Sequence, residues 1–408
     1  MPRKIALISE RFGHSGGGEA IKGQQYADFL LRQGQDVIVV THERSIGSLG
    51  GRFPAERLRL VPDTGLQRFF WRSKVLGGLI GLYFHWQARR LLLTEAAADG
   101  RPAGWTILHY ISPVSPVALR FPPRGFDVVI GPMTGNIYYP PGFRARMSTK
   151  DRIRERFHAL SQRILRVLAP EKVRADVLLV SGYDRTRASL RMAGARDAQM
   201  RDVVDAGVKD SIFARPRLQH AGINTAFVCS GRMVDHKGVD LAIKALVQTK
   251  EPIRLDIFGD GPMRPELEGL VARLGLGSRV AFKGWMASHD ALIAGFAAYR
   301  GYVFPSLAEA NGIVMQEAMA IGLPVIGLRW GGPAMLADDA SAIYITPQDE
   351  AQVVADIARA MDRLAMDGAF ADGIAARARA TAERSFTWDA VAQSWQGSYQ
   401  TLGQSGRA

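Results

Sequence analysis

Two glutamates eight positions apart are the residues of this sequence best suited to bind a polar ligand. Glu309 and Glu317 lie in the segment 305–320, where the pattern predicts a strand over Tyr302–Phe304 and a helix over about Gly312–Ile321. Glu309 then lies in the turn at the carboxyl end of a strand, where ligands of α/β proteins bind, and Glu317 lies inside the helix. This arrangement suits the hydroxyl groups of a sugar and a ribose. Alternatively, both are surface glutamates near a helix start, where acidic residues are favoured anyway.

The same turn offers backbone donors to an anion. The amides of Asn311, Gly312 and Ile313 fall at the start of the predicted helix and therefore lack an acceptor within it. The positive end of the helix dipole lies behind them. Such a place attracts phosphate.

Two basic residues follow another predicted strand. Arg232 and Lys237 lie in the short connection Gly231–Gly238, between a strand over Ala226–Ser230 and a helix over Val239–Gln248. Two fixed cations beside a helix N-terminus could neutralise a departing diphosphate without a metal ion. Alternatively, they are two exposed basic residues of a loop.

The elements that position these residues alternate along the whole chain. Short apolar runs and amphipathic helical stretches follow one another in both halves, which is the pattern of βαβ units around a parallel sheet. A chain of 408 residues exceeds a single hydrophobic core. We therefore predict two α/β domains with parallel sheets, over 1–210 and 211–385, with the joint near 207–225. Further strands are predicted over 4–9, 36–41, 105–111, 127–130, 175–181, 254–258, 279–282 and 325–327.

The amino-acid composition excludes several classes of protein. Hydrophobic residues make up 47% and charged residues 22%, which are globular values and exclude a disordered or collagen-like chain. Cys229 is the single cysteine, so internal disulfides and cysteine-built metal sites are excluded. The first apolar run is too short for a signal peptide, and the longest later one, Val75–Phe84, is too short to span a membrane. These features predict a cytoplasmic protein, soluble or peripheral on the inner face of a membrane.

The positive charge is concentrated in the first half. Residues 1–217 hold 35 Lys and Arg against 19 Asp and Glu, a net charge of +16, whereas residues 218–408 carry −3. The first half therefore is predicted to face an anionic partner: a phospholipid surface, a phosphorylated acceptor or nucleic acid. Alternatively, the excess reflects genome composition, because 42 of the 52 basic residues are arginine.

Two basic stretches interrupt the regular alternation. Leu66–Leu93 mixes aromatic and basic residues, which suits an interfacial helix whose rings lie at the level of lipid headgroups. Alternatively, this helix packs on its own sheet with its arginines in water. Arg152–Arg174 is a second strongly basic helix, and its simplest interpretation is a solvated face.

The second half resembles the family 4 retaining glycosyltransferases, which have the GT-B fold of two Rossmann-like domains facing across a cleft. The resemblance rests on motifs in the family's order and spacing, the Glu309–Glu317 pair (Glu-x7-Glu) above all. Segment 386–408 resembles the closing helix that in this family crosses back onto the first domain. The other motifs are Gly231-Arg232 to Lys237-Gly238, Gly259-Asp260-Gly261-Pro262, Val280–Gly284, Pro305-Ser306, Ala318-Met319-Ala320, Gly322-Leu323-Pro324-Val325 and Gly331-Gly332.

The resemblance implies three catalytic residues. Arg232 and Lys237 would neutralise the diphosphate, and Glu309 would bind hydroxyl groups of the donor sugar. No cofactor or metal is implied, and the sequence contains no Asp-x-Asp pair.

The resemblance also implies a set of donor-binding residues. Glu317 would hold the nucleotide ribose, and the amides after Glu309 would bind the donor together with the first-half backbone. His109, at the end of a first-domain strand, matches a histidine that touches the donor sugar; a core or loop histidine is the alternative. The implied donor-binding residues are Gly17, Gly18, His109, Asn311, Gly312, Ile313 and Glu317.

The implied activity is a metal-independent hexosyltransferase that moves a sugar from a nucleotide-diphosphate-sugar to a hydroxyl with retention. The basic first half indicates a lipid-linked or cell-envelope glycan as acceptor and an anionic membrane surface as a second partner. Two alternatives remain: a nucleotide-sugar epimerase of the same fold, and a nucleic-acid-binding protein. No helix-turn-helix or aromatic platform accompanies the charge, which disfavours the last. Ala310-Asn311 replaces the residues most often found after the first glutamate, so the donor's sugar and base stay open.

Overall fold

The computed structural model describes residues 3–14, 18–49, 53–73, 79–100, 106–135, 138–168 and 170–402. The chain folds as two compact α/β units. The first comprises Met1–Asn136, Phe157–Asp205 and Val391–Ala408, and the second comprises Ile137–Arg156 and Ala206–Ala390. Only the described residues of these ranges are meant below.

The first unit is built on a seven-stranded parallel sheet. Its strands are β1 (Lys4–Ile8), β2 (Val37–His42), β3 (Leu58–Val61), β4 (Thr106–Tyr110), β5 (Asp127–Met133), β6 (Val177–Val180) and β7 (Met200–Asp202). They are ordered β3-β2-β1-β4-β5-β6-β7, and β1 pairs with both β2 and β4. Every residue of β1, β2 and β5 is buried. Because side chains alternate between the faces of a strand, this sheet is covered on both faces.

Helices connect these strands. They are α1 (Gly18–Arg32), α2 (Ile46–Leu49), α3 (Gly65–Arg72), α4 (Leu79–Asp99), α5 (Thr149–Leu168), α6 (Glu171–Arg174) and α7 (Tyr183–Met192). The first two turns of α5, up to Arg156, are assigned to the second unit. The stretch 66–93, predicted as one interfacial helix, is divided between α3 and α4. Phe84, Ala88 and Leu92 of α4 are buried in the core of the sheet. The alternative interpretation, in which the helix packs on its own sheet, is therefore correct for α4, because the apolar residues of α4 cover the sheet.

The second unit repeats the design with six parallel strands. They are β8 (Ala226–Ser230), β9 (Arg254–Phe258), β10 (Val280–Gly284), β11 (Gly301–Phe304), β12 (Val325–Leu328) and β13 (Ile343–Ile345). Their order is β10-β9-β8-β11-β12-β13. Counted from the first strand of each unit, the second sheet thus follows the Rossmann order 3-2-1-4-5-6, and the first sheet follows the same order with β7 added at its edge. The fold class predicted from the sequence is confirmed in this respect.

The second unit's helices complete its core. They are α8 (Asp210–Phe213), α9 (Val239–Gln248), α10 (Arg264–Arg273), α11 (His289–Gly295), α12 (Ile313–Ile321), α13 (Glu350–Met366) and α14 (Gly368–Ser385). The next helix, α15 (Trp388–Gly397), belongs to the first unit from Val391 onward. None of the helices in the described ranges is long and apolar enough to cross a membrane.

The two units are not divided as the sequence predicted, at one boundary between residues 210 and 211. Residues 137–156 belong to the second unit, although they precede its sheet by some 70 positions. Phe143, in this segment, is 1% exposed within the second unit's hydrophobic core. The sequence gives no local sign of this packing, because it depends on contacts far apart along the chain.

Candidate functional site

The loops that carry the predicted site follow neighbouring strands of the second sheet. Strands β8 and β11 are adjacent, and the chain leaves them in opposite directions along the sheet, to β9 and to β12. Such a reversal of strand order opens a crevice at the carboxyl ends, where ligands of α/β sheets bind. The segment 231–238 follows β8 and the segment 305–312 follows β11. Both therefore lie at this crevice.

The two loops are joined by a salt bridge. Lys237 Nζ contacts Glu309 Oε2, with the side chains 27% and 17% exposed. The Leu307 amide also donates to the His236 carbonyl at 2.8 Å. The structure thus brings together two of the three predicted catalytic residues. Each of these charges is balanced by the other.

Arg232 lies on the same loop but behaves differently. Its side chain is exposed, and its guanidinium makes no hydrogen bond or ion pair with any residue described in the structure. The neighbouring Met233 is fully buried and fixes the backbone there. Arg232 is therefore a cation at the carboxyl edge of the sheet that is available to a ligand.

The start of α12 presents free backbone donors, as predicted. Gly312 precedes the helix in the left-handed region, with φ of 75°. The amides of Asn311, Gly312 and Ile313 donate to no acceptor among the described residues. The Gln316 side chain donates to Asn311 Oδ1 at 3.0 Å, which orients that side chain. These amides and the helix dipole make this end of α12 favourable for an anion.

Glu317 has a partner that the sequence did not indicate. Its side chain is buried in α12 and lies 3.1 Å from His289 Nε2, at the start of α11. The hydrogen bond to Glu317 raises the pKa of His289. Because α11 and α12 are separated by β11 along the chain, only the folded structure reveals this pair. His289 holds the carboxylate of Glu317 in place.

A second set of contacts fixes the loop after β8 from the segment 138–146. Tyr139 donates its phenolic hydroxyl to Asp235 Oδ2 at 2.5 Å. Arg146 donates to Asp235 Oδ1 at 3.0 Å and to Asp240 Oδ1 at 2.8 Å. The Trp330 indole donates to the Tyr138 carbonyl at 2.7 Å. These buried or half-buried contacts position Lys237 two residues along from Asp235, and sequence reasoning missed them.

His109 does not lie where a donor could reach it. It is fully buried in β4, and the Gly131 carbonyl lies 2.8 Å from Nε2 while the Tyr399 hydroxyl lies 2.7 Å from Nδ1. Since a carbonyl only accepts, Nε2 carries the proton and Nδ1 accepts from Tyr399. Both ring nitrogens are thus occupied within the first unit. The structure supports the core-histidine alternative and not the predicted contact with the donor sugar.

Burial of His109 leads to a prediction about stability. Burial lowers its pKa to about 4, from 6.5 in an unfolded chain. The unfolded state binds a proton first as the pH falls, so the native state loses stability between pH 6.5 and 4, by up to about 3 kcal/mol. His109→Gln can keep both hydrogen bonds without titrating. Urea unfolding at several pH values should show a flatter acid slope for the variant, and an unchanged slope contradicts the assignment.

The predicted glycines of the first unit are only partly described. Gly17 lies outside the described residues. Gly18 is exposed and begins α1, directly before Glu19. A role for its backbone in donor binding stays a prediction.

An open cavity lies at the carboxyl ends of β1, β2 and β4 in the first unit. Its volume is about 690 Å³. Its walls are largely apolar, with a few charged and hydroxyl groups among them. The lining residues include Glu10, Arg11, Phe12, Arg44, Ser48, Ile80, Leu82, Phe84, Pro113, Val117 and Leu119. The first sheet reverses its strand order between β1 and β4, so this cavity also lies where ligands bind.

Part of the second unit's sequence is similar to known glycosyltransferases. Residues 224–365 match the family model described as "Glycosyl transferases group 1". The lipopolysaccharide core biosynthesis glycosyltransferase LpsD of Rhizobium meliloti is 35% identical over 151 residues, which are 36% of this chain and 43% of that protein. The 2-deoxystreptamine glucosyltransferase of Streptomyces kanamyceticus is 29% identical over 333 residues, 78% of either chain. The chain spans less than half the length of the first curated relatives it matches, 41% and 45%.

Solved structures share the whole architecture. The lipopolysaccharide outer core galactosyltransferase WaaB in its apo form has a TM-score of 0.65 at 15% identity, covering 98% of this chain and 99% of that one. HepE of Anabaena, in complex with UDP and glucose, has a TM-score of 0.57 at 18% identity and covers 98% and 100%. At these identities the likeness shows the fold, which is GT-B. Together the matches support a group 1 glycosyltransferase.

Proposed function

We propose that this protein transfers a sugar from a nucleotide-diphosphate-sugar to a hydroxyl acceptor, with retention of the anomeric configuration. The observation that carries the proposal is the contact of Lys237 with Glu309, which joins the loops after β8 and β11 beside the free amides of α12. Three groups at one crevice suit such a donor. The cation suits its diphosphate, the carboxylate suits its sugar hydroxyls, and the free amides at the helix start suit the phosphate that is linked to the sugar.

Each residue then has a role in holding the donor. Lys237 and Arg232, which has no partner among the described residues, bind the diphosphate, and the amides of Asn311 and Gly312 bind the donor beside it. Glu309, released from Lys237, accepts hydrogen bonds from the sugar. Glu317, held by His289, accepts them from the ribose. The complex of HepE with UDP supports a nucleoside diphosphate as the carrier.

The reaction needs charge stabilisation more than a protein nucleophile. In the front-face mechanism that we propose, the bond from the anomeric carbon to the diphosphate breaks and the bond to the acceptor oxygen forms on the same face. The acceptor's proton passes to the leaving diphosphate oxygen. Negative charge grows on the diphosphate in the transition state, where Arg232 and Lys237 stabilise it without a metal ion.

The acceptor, we infer, occupies the cavity of the first unit. Its apolar walls with Glu10, Arg11 and Arg44 suit an acceptor that combines a hydrophobic part with hydroxyl or phosphate groups. The similarity to LpsD supports a cell-envelope glycan or its lipid-linked form. Cytoplasmic synthesis of such a glycan follows from the nucleotide-sugar donor.

The test is thermal unfolding with UDP, GDP, ADP and NAD in turn. At about 100 times its dissociation constant, the correct nucleoside diphosphate should stabilise the protein by about 2.7 kcal/mol. Arg232→Ala should abolish most of this shift, because the guanidinium binds the diphosphate. The substitution should leave the fold intact, since that group has no partner among the described residues. Arg254→Ala is the matched control, since Arg254 is an exposed arginine at the opposite, amino end of β9.

Three outcomes separate the possibilities. The donor site is supported if one nucleoside diphosphate raises the melting temperature of the wild type and of the Arg254→Ala control but not that of Arg232→Ala. Stabilisation by NAD alone contradicts the proposal. Release of an altered free sugar in the absence of any acceptor would instead indicate an epimerase.

A further inference from the structure

Helix α5 carries an apolar stripe that no other part of the described chain covers. Its large apolar side chains recur every three or four residues, so they lie on one side of the helix. Their exposed fractions lie between 47% and 78%. The stripe consists of Ile153, Phe157, Leu160, Ile164, Val167 and Leu168.

Basic side chains flank this stripe. At about 100° per residue, Arg152, Arg156 and Arg163 lie along one border, and Lys150 and Arg154 lie along the other. All five are exposed. The guanidinium groups of the first three make no hydrogen bond or ion pair with any described residue. Cations therefore line both borders of the stripe, and those on the Arg152 border have no counter-charge among the described residues.

The opposite side of α5 faces the protein. Gln162 is fully buried there, half a turn from the stripe. The helix's two acidic residues also lie away from the stripe and are held by neighbours. Ser148 donates to Asp151 Oδ2 at 2.6 Å, and Arg144 donates to Glu155 Oε1 at 2.8 Å. The helix thus separates apolar and cationic groups, which face outward, from acidic groups, which face inward.

We propose that α5 binds the surface of an anionic phospholipid bilayer. An apolar stripe bordered by arginines suits such a surface, because the stripe enters the boundary of headgroups and acyl chains while the arginines meet lipid phosphates. The solvated face predicted for this stretch accounts for the arginines but leaves six large apolar side chains in water. The proposal goes beyond sugar transfer and does not depend on it.

Vesicle co-sedimentation tests the proposal. The full chain is mixed with vesicles of phosphatidylcholine alone and with vesicles containing 30 mol% phosphatidylglycerol, at low and high salt. We expect binding to the anionic vesicles, weakened by salt. The triple variant Arg152→Gln, Arg156→Gln, Arg163→Gln should bind about 100-fold more weakly, and Phe157→Ser with Ile164→Ser should lose most binding even at low salt.

A matched variant controls for net charge. Arg273, Arg359 and Arg384 are exposed on helices of the second unit, and replacing all three with glutamine removes the same charge. This control should bind within about twofold of the wild type. All variants should keep the wild-type melting temperature and its shift with the stabilising nucleoside diphosphate, because the changed side chains are exposed.

Other results overturn the proposal. If the control triple variant loses as much binding as the α5 triple variant, the attraction is only net charge. If the wild type binds neither type of vesicle, or binds both equally at low and at high salt concentration, α5 does not recognise an anionic surface. If the wild type sediments as a dimer that Phe157→Ser dissociates, without vesicle binding, the stripe is an interface between two copies.

Discussion

Replacing Lys237 with alanine is expected to lower kcat for release of the nucleoside diphosphate by about 10²- to 10³-fold. The ammonium group meets the diphosphate where negative charge grows as the sugar leaves, so its loss raises the barrier more than it weakens the ground state. Part of the loss also appears in KM, because the donor already carries charge when it binds. The measurement is donor turnover with whichever of UDP-glucose, GDP-mannose or ADP-glucose shares its nucleoside diphosphate with the stabilising ligand.

A lysine of the same unit serves as the control. Lys244 lies on α9, pairs with Asp240 at 3.0 Å and also contacts Glu350. Lys244→Ala removes an equal charge and leaves Asp240 and Asp235 paired with Arg146, so the loop after β8 keeps these contacts and kcat should stay within about threefold of wild type. If Lys237→Ala raises KM but leaves kcat unchanged, Lys237 only binds the donor. If Lys244→Ala reduces kcat equally, the effect arises from general electrostatics.

The position of Lys237 and Glu309 at the ends of two strands could be predicted from local patterns, whereas their meeting at one donor site was implied by the family resemblance. Short apolar runs bounded by glycine place β8 and β9 at the residues observed, and parallel neighbours end at the same edge of a sheet. Charged residues directly after β8 and β11 must then approach one another. The predicted element over Val239–Gln248 is also the observed α9, since its apolar residues recur with helical spacing.

Short strands at or near the sheet edges were missed for a physical reason. Strands β3, β7 and β13 have three or four residues each, and their burial is partial. Segments this short carry too little periodicity to be told from loops. Their strand conformation comes from hydrogen bonds to a neighbour, such as Met200 with Leu178, and the sequence of the segment does not encode that neighbour.

The partners of the site residues were missed for a related reason. His289 meets Glu317 from another helix, and Arg146 meets Asp235 from a segment about 90 residues earlier in the chain. Neither shows a motif, because a single histidine or arginine has many possible roles. His109 illustrates the reverse error. Its place at the end of a strand suggested a ligand contact, but its Nδ1 instead accepts a hydrogen bond from the hydroxyl of Tyr399, 290 residues later in the chain.

Gly238→Ala is the second substitution for which a large effect is expected. Gly238 has φ of 63° and precedes α9, and a Cβ atom there would overlap the carbonyl oxygen of Pro305. The left-handed conformation costs alanine about 1–2 kcal/mol, and the overlap adds to it. The two loops must move apart to relieve the overlap. We expect a loss of about 2–4 kcal/mol in unfolding free energy, measured with urea.

The functional loss from Gly238→Ala should exceed what this instability explains. Lys237 is bonded to Gly238, and Pro305 begins the loop that carries Glu309, so separating the loops also separates the salt bridge. A displacement of about 1 Å can cost about 100-fold in rate, and we expect losses of this order in both kcat and nucleoside diphosphate affinity, measured by calorimetry under conditions where the variant is folded.

Gly295→Ala provides the comparison that isolates this mechanism. Gly295 ends α11 with φ of −63°, and no described atom lies within 4 Å of a Cβ placed there. Alanine in this helical conformation should leave binding unchanged and raise stability by up to about 1 kcal/mol. If Gly238→Ala binds the nucleoside diphosphate as tightly as Gly295→Ala does, close approach of the loops is not needed for the site. Lys237 and Glu309 would then act separately, and the contact that carries the proposed function would reflect only the resting state.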